Sequence, residues 1–204
     1  MARLSASTDE PAFSGLALGK FLELVSAPEP APAGGSVAAL AVSLAAALCA
    51  MTARLSTKQI ADAAELATAA EKLRDRAELL CQADAEAYGR VIAAMRLARE
   101  PDPEDRRLQI AAALSAASDV PLEVVQIASR VGEIALRMAE EGNPNLLGDS
   151  VTAALMADAG ARSAGALVLI NLNGDEEDDR CAQVAVLLEE TGEHARRARG
   201  RVGA

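Results

Sequence analysis

The longest unbroken pattern in the chain is apolar: residues 30–53 carry no charged side chain, and beyond Pro30, Pro32, Gly34 and Gly35 the stretch is mostly alanine, leucine and valine. A helix apolar on every face is a buried one, so a central helix is predicted from Ser36 to about Leu55, buried all round. Before it, Leu16 to Ser26 reads as a short amphipathic helix stopped by the Pro28, Pro30, Pro32 run. After it, Leu66, Ala70, Leu73, Ala77 and Leu80 recur at helical spacing within a long helix from Asp62 to about Arg99, which Pro101 and Pro103 end. Further helices follow over Glu104 to Ser118, from Pro121 (after Asp119) to Glu141, and from Asp149 to about Ile170. A last one follows the acidic run Asp175 to Asp179 and ends near Arg199. The pattern gives six or seven helices and no convincing strand, as a single helical domain over residues 15–204 behind a flexible polar tail over 1–14.

Composition agrees with that architecture. Aromatic residues make up 1% of the 204-residue chain against 51% hydrophobic overall, and small aliphatic side chains suit closely approaching helices better than a β-sandwich. The fold class is therefore all-α: a bundle around one alanine-rich helix. The uncharged stretch raises the question of a membrane span, but alanine adds little to insertion and two prolines and two glycines consume its start. With a formal charge of -10 and a pI near 4.7 the chain lacks the basic face that nucleic acid requires. Cys49, Cys81 and Cys181 are odd in number and widely spaced, which indicates neither a disulfide framework nor a zinc site and suits a reducing cytosol.

Four places carry candidate chemistry. Gly34, Gly35 and Ser36 open the central helix. Glycines there admit a close approach to unpaired N–H groups, so the turn is either an anion site or a tight entry capped by Ser36, a cap being worth about 1 kcal/mol. Asp84 and Tyr88 lie four apart on one face of the long helix, which Met95 continues, and a buried aspartate there would serve as a general acid or base. Asn143, Asn145 and Asp149 fall in one connection, where Asp149 is also a natural N-cap. Lys58 follows Arg54 beyond the end of the central helix. Asp175 to Asp179 lacks the spacing and glycine of a calcium loop, and no metal is assigned. His194, the single histidine, reads as exposed on an arginine-rich turn and is a poor general base.

In order and spacing, four motifs resemble the cyclodeaminase/cyclohydrolase family: Pro32-Ala33-Gly34-Gly35-Ser36 before an alanine-rich helix, Asp84-x-x-Ala87-Tyr88, Val120-Pro121-Leu122, and Gly142-Asn143-x-Asn145-x-x-x-Asp149. Ile170-Asn171-Leu172-Asn173 is similar to the family's later asparagine segment. The resemblance implies an all-helical homodimer acting on the one-carbon unit between N5 and N10 of tetrahydrofolate, with a folate substrate and no cofactor. The family comprises two activities, of which methenyltetrahydrofolate cyclohydrolase is the one expected here, with formiminotetrahydrofolate cyclodeaminase as the alternative. By carry-over, Asp84 or Asp149 moves the proton, Asn143 and Asn145 orient the substrate, Gly34, Gly35, Ser36 and Tyr88 line it, and Lys58, Arg54 or Arg96 meets its glutamate tail. Ala33 stands where the family has the first of three glycines, Gly148 where it has a serine, and the stretch after the central helix is reduced to Ser56-Thr57-Lys58. These departures leave room for another cyclic amidine or imine as substrate. The rival from a different class is a helical dimer that binds a ligand without turning it over.

Overall fold

The computed structural model describes residues 13–97, 103–175 and 177–203. Among them are seven α-helices: α1 Leu18–Val25, α2 Gly34–Arg54, α3 Ala63–Met95, α4 Pro103–Ala117, α5 Asp119–Glu141, α6 Leu147–Asn171 and α7 Asp179–Gly200. Two 3-10 turns, Phe13–Gly15 and Pro144–Leu146, complete the regular structure, and the described residues contain no strand. Residues 1–12 of the expected tail, and Pro101, lie outside the described residues. Phe13 is not tail: its ring packs edge-on against Phe21 of α1, centroids 6.0 Å apart.

α2 runs through the middle, against α3 on one side and α5 and α6 on the other. Its alanines make this possible. Ala39, Ala45, Ala46 and Ala53 are wholly buried, and methyl side chains let neighbouring backbones approach closely. One close approach is at Gly160 of α6, where a Cβ would stand 2.5 Å from Val42 Cγ2 of α2. The expectation of burial all round is corrected, however. Val37, Leu44 and Leu55 remain 41, 49 and 55% exposed, one stripe at helical spacing that no element among the described residues covers.

Helix ends differ from the periodicity by a turn or less, each for a local reason. α2 starts at Gly34 because Ala33 is the extended cap and accepts the first helical bond, from Val37 N–H at 3.0 Å; two glycines carry no side chain that would announce a helix. α3 stops at Met95, where Arg106 of α4 donates to the Met95 and Leu97 carbonyls at 2.6 and 2.9 Å, as a cation at a helix C-terminus should. α5 takes in Asp119 and Val120 before Pro121, which still lies within the first turn where a missing N–H costs nothing. α6 is entered through the Pro144–Leu146 turn, so Asp149 lies inside its first turn and does not cap it.

The acidic run before α7 is partly structural. Asp178 caps α7, accepting from Arg180 N–H at 3.0 Å, and the Arg180 guanidinium holds its carboxyl down at about 2. His194 departs from expectation: it is half-buried, because α7 lies against α5 at Gly132, where a Cβ would sit 3.3 Å from His194 Nδ1. That nitrogen is buried without a hydrogen-bond partner among the described residues.

Candidate active site

The first turn of α2 meets the middle of α3. Ser36 is fully buried, so its hydroxyl does not cap the helix as expected. Instead it points sideways, donates to the Cys81 carbonyl at 2.8 Å and stands 3.3 Å from Asp84 Oδ2. The backbone N–H of Ser36 also pulls on the Asp84 carboxylate and lowers its pKa. The anion that the helix N-terminus attracts is thus a side chain of the protein itself. Gly35 is what lets it in: a Cβ there would overlap the Asp84 carboxyl group. Gly34, by contrast, has nothing within 4 Å of where its Cβ would lie.

Two opposed effects act on Asp84. Half-burial between the helices raises its pKa, while the Ser36 hydroxyl and N–H lower it, and burial wins, leaving the carboxyl above its ordinary range. Cys81 is drawn into the same contact. Its thiol donates to the Ser36 carbonyl at 3.3 Å, and burial, with Asp84 adding to it, pushes it up to about 11. It is a packed thiol rather than a nucleophile.

Asp84 opens onto a cavity of about 210 Å³ lined by Gly34, Gly35 and Tyr88, with Ala117, Leu167 and Asn171 closing it. A half-buried carboxylate beside a mostly apolar pocket is suited to holding a cation and exchanging a proton with it. Among the described residues no three His, Cys, Asp or Glu side chains gather to hold a metal ion.

The other candidates are elsewhere. Asn143 N–H donates to Ser56 Oγ at 2.9 Å, its amide to the Leu55 carbonyl at 3.3 Å, and its Oδ1 accepts from Asn145 N–H at 3.1 Å. Ser56 itself donates to the Thr52 carbonyl at 2.7 Å. These bonds tie the α5–α6 connection to the far end of α2, with Lys58 exposed nearby and Asp149 half-buried at the start of α6. The 21 residues of α2 separate the two ends by roughly 30 Å. Within one chain, then, Gly34, Gly35, Ser36, Asp84 and Tyr88 come together, while Lys58, Asn143, Asn145 and Asp149 form a second group at the opposite end. Cys81 is the contributor that sequence reasoning missed as a site residue. Its spacing of three from Asp84 and seven from Tyr88, on one helix face, was the available signal.

Comparison with known proteins follows the same lines. Residues 17–190 match the formiminotransferase-cyclodeaminase family. A methenyltetrahydrofolate cyclohydrolase from Methylorubrum extorquens is 32% identical over 184 residues, which span 84% of this chain and 88% of that protein. The crystal structure of formiminotetrahydrofolate cyclodeaminase from Thermotoga maritima superposes with a TM-score of 0.76 at 26% identity, covering 92% of this chain and 94% of the other.

Proposed function

The chain belongs to the formiminotransferase-cyclodeaminase family, and on that premise we propose that it is a folate one-carbon enzyme, a methenyltetrahydrofolate cyclohydrolase that hydrolyses 5,10-methenyltetrahydrofolate to formyltetrahydrofolate. The observation that carries this reading is the Asp84 carboxylate, fixed by the first turn of α2 at the edge of a mostly apolar cavity. The substrate's methenyl carbon lies between two nitrogens that share a positive charge, and a carboxylate in a poorly solvated site stabilises that cation. Asp84 takes a proton from water as its oxygen bonds to the carbon. It then returns that proton to the ring nitrogen as the carbon–nitrogen bond breaks and the hydroxyl of the tetrahedral adduct releases its own proton to solvent, leaving the formyl group on the other nitrogen. General acid–base help of this kind supplies about 10²- to 10⁴-fold in rate. The reaction needs no metal or cofactor, so chelation leaves the rate unchanged.

Formiminotetrahydrofolate cyclodeaminase is the second reading, favoured by the structural likeness to an enzyme of that name. It passes through the same tetrahedral carbon, with ammonia leaving and the same carboxyl supplying its proton. Absorbance of the methenyl chromophore separates the two. Its loss faster than in buffer alone marks the cyclohydrolase, and its growth from 5-formimino-tetrahydrofolate the cyclodeaminase. Tight folate binding with neither change would mean a binding protein, and no folate binding at all a relative working on another amidine or imine.

We further propose a homodimer, in the reducing cytosol that the buried thiols Cys49 and Cys81, neither in a disulfide, suit. Its support is the uncovered stripe of α2, continued by a shallow groove of about 280 Å³ between Val37 and Ala41 of α2 and Ala159, Ser163 and Leu167 of α6. A two-fold axis across the middle of that stripe sets the two α2 helices antiparallel. Asn143, Asn145, Lys58 and Asp149 of the partner subunit then approach the Asp84 end, and the two separated groups meet in one site.

A further inference from the structure

Beyond Asp84, α3 carries a second feature that neither proton transfer nor dimerisation uses. A groove of about 400 Å³ runs between Pro30 and Ala31, ahead of α2, and Tyr88, Gly89 and Ile92 of α3 with Arg96, the residue that caps that helix. Tyr88 lines both this groove and the Asp84 cavity, so the two are neighbours. Asp84, Tyr88, Ile92 and Arg96 are spaced by four and form one ridge on the helix surface, in the order carboxylate, aromatic ring, aliphatic side chain, cation. The ridge spans about 18 Å. Of the cations considered for the substrate's tail, Arg54 is occupied by Glu71, Lys58 of the same chain stands at the far end of α2, and Arg96 is the one that lines this groove. Arg96 has no hydrogen bond or ion pair holding its guanidinium among the described residues. Glu29 on the opposite rim of the groove repels an anion, which leaves the Arg96 side as the place for one.

From this placement we infer that the groove is the subsite for the benzoylglutamate half of the substrate, with the benzoyl ring against Tyr88 and Ile92 and a glutamate carboxylate on Arg96. The inference rests on the folate reading above. The dimensions agree with it. By ordinary bond lengths about 10 Å separate the one-carbon bridge from the glutamate α-carboxylate, and an arginine side chain reaches about 6 Å from its Cα. Those lengths, with the short reach of Asp84, fill the ridge. Arg96 is a binding residue in this scheme and takes no part in the chemistry.

The test compares 5,10-methenyltetrahydrofolate with the corresponding methenyltetrahydropteroate, which lacks the glutamate, for the wild type, Arg96→Gln and Arg96→Lys. Arg96→Gln is expected to raise KM for the folate about tenfold, the loss of one charge-assisted bond, with kcat little changed. It leaves the pteroate kinetics as in the wild type, and Arg96→Lys recovers part of the loss. Unchanged KM on the folate, or an equal loss on both substrates, overturns the subsite while the folate reading stands. A wild type that turns over neither compound, and that forms no methenyl chromophore from 5-formimino-tetrahydrofolate, overturns both.

Discussion

Asp84 holds its position against a cost. Its carboxylate sits where a helix N-terminus and a serine favour charge, yet burial outweighs them and the proton is held more tightly than in the unfolded chain. Because the folded state binds the proton more tightly, stability is full below the unfolded carboxylate pKa and declines as pH rises through the raised one. Asp84→Asn keeps an acceptor for Ser36 and removes the charge. It is expected to raise the Tm at pH 7 by about 2 °C, with the gain vanishing below about pH 4, while turnover falls by about 10²- to 10⁴-fold. Thermal melts across pH and the chromophore assay check both halves, and a variant with full turnover sinks the assignment of Asp84. Gly35→Ala attacks the same contact from the other side. The added methyl must displace the carboxylate, so a loss of turnover comparable to Asp84→Asn is expected, with destabilisation of about 1–3 kcal/mol in denaturant melts.

At the scale of elements, the interlock of α2 with its neighbours is the sensitive quantity. Gly160→Ala pushes a methyl group into Val42 and against the Ala38 carbonyl, and is expected to cost about 1–3 kcal/mol. An unchanged denaturation midpoint would show that α2 and α6 can separate freely at that point. Here the sequence was most informative. The apolar spacing of Leu66, Ala70, Leu73, Ala77 and Leu80 finds α3, and the charge-free alanine run finds α2, because helical period and composition are properties of the segment alone. Ends were less legible. Ser36, Asp149 and Pro121 all look like first residues, since each has the chemistry of a helix start. Which one caps is decided by where its side chain is pulled, in Ser36 toward Cys81 and Asp84. His194 shows the same limit, its burial being set by a glycine on another helix.

For the whole molecule, the question is how many chains make a site. Gly34, Gly35, Ser36, Asp84 and Tyr88 could be grouped by chemistry and order, and the fold does join them. Asn143, Asn145, Asp149 and Lys58 could be grouped equally well, but order along a chain does not say which end of a helix a loop returns to. Light scattering should give about twice the 21.0 kDa chain mass. Replacing Leu44 by Asp in the middle of the uncovered stripe should give monomers with little turnover. In the shared-site arrangement, Asp84→Asn and Asp149→Asn are each inactive. Equal mixing and refolding returns about a quarter of wild-type turnover, since half the dimers are mixed and each carries one intact site. No recovery on mixing, with dimers confirmed, would confine the site to one chain.

The hydroxyls at the two ends of α2, Ser36 to α3 and Ser56 to the α5–α6 connection, make that helix a ruler with graduations. Deleting a single residue between them shortens it by about 1.5 Å and turns one end by about 100° relative to the other. Either Ser36 then leaves Asp84 or Ser56 leaves Asn143. Length can therefore change in α2 only in steps near a whole number of turns, about seven residues for two of them, and such a step would also carry the second group of polar residues about 10 Å further from the first.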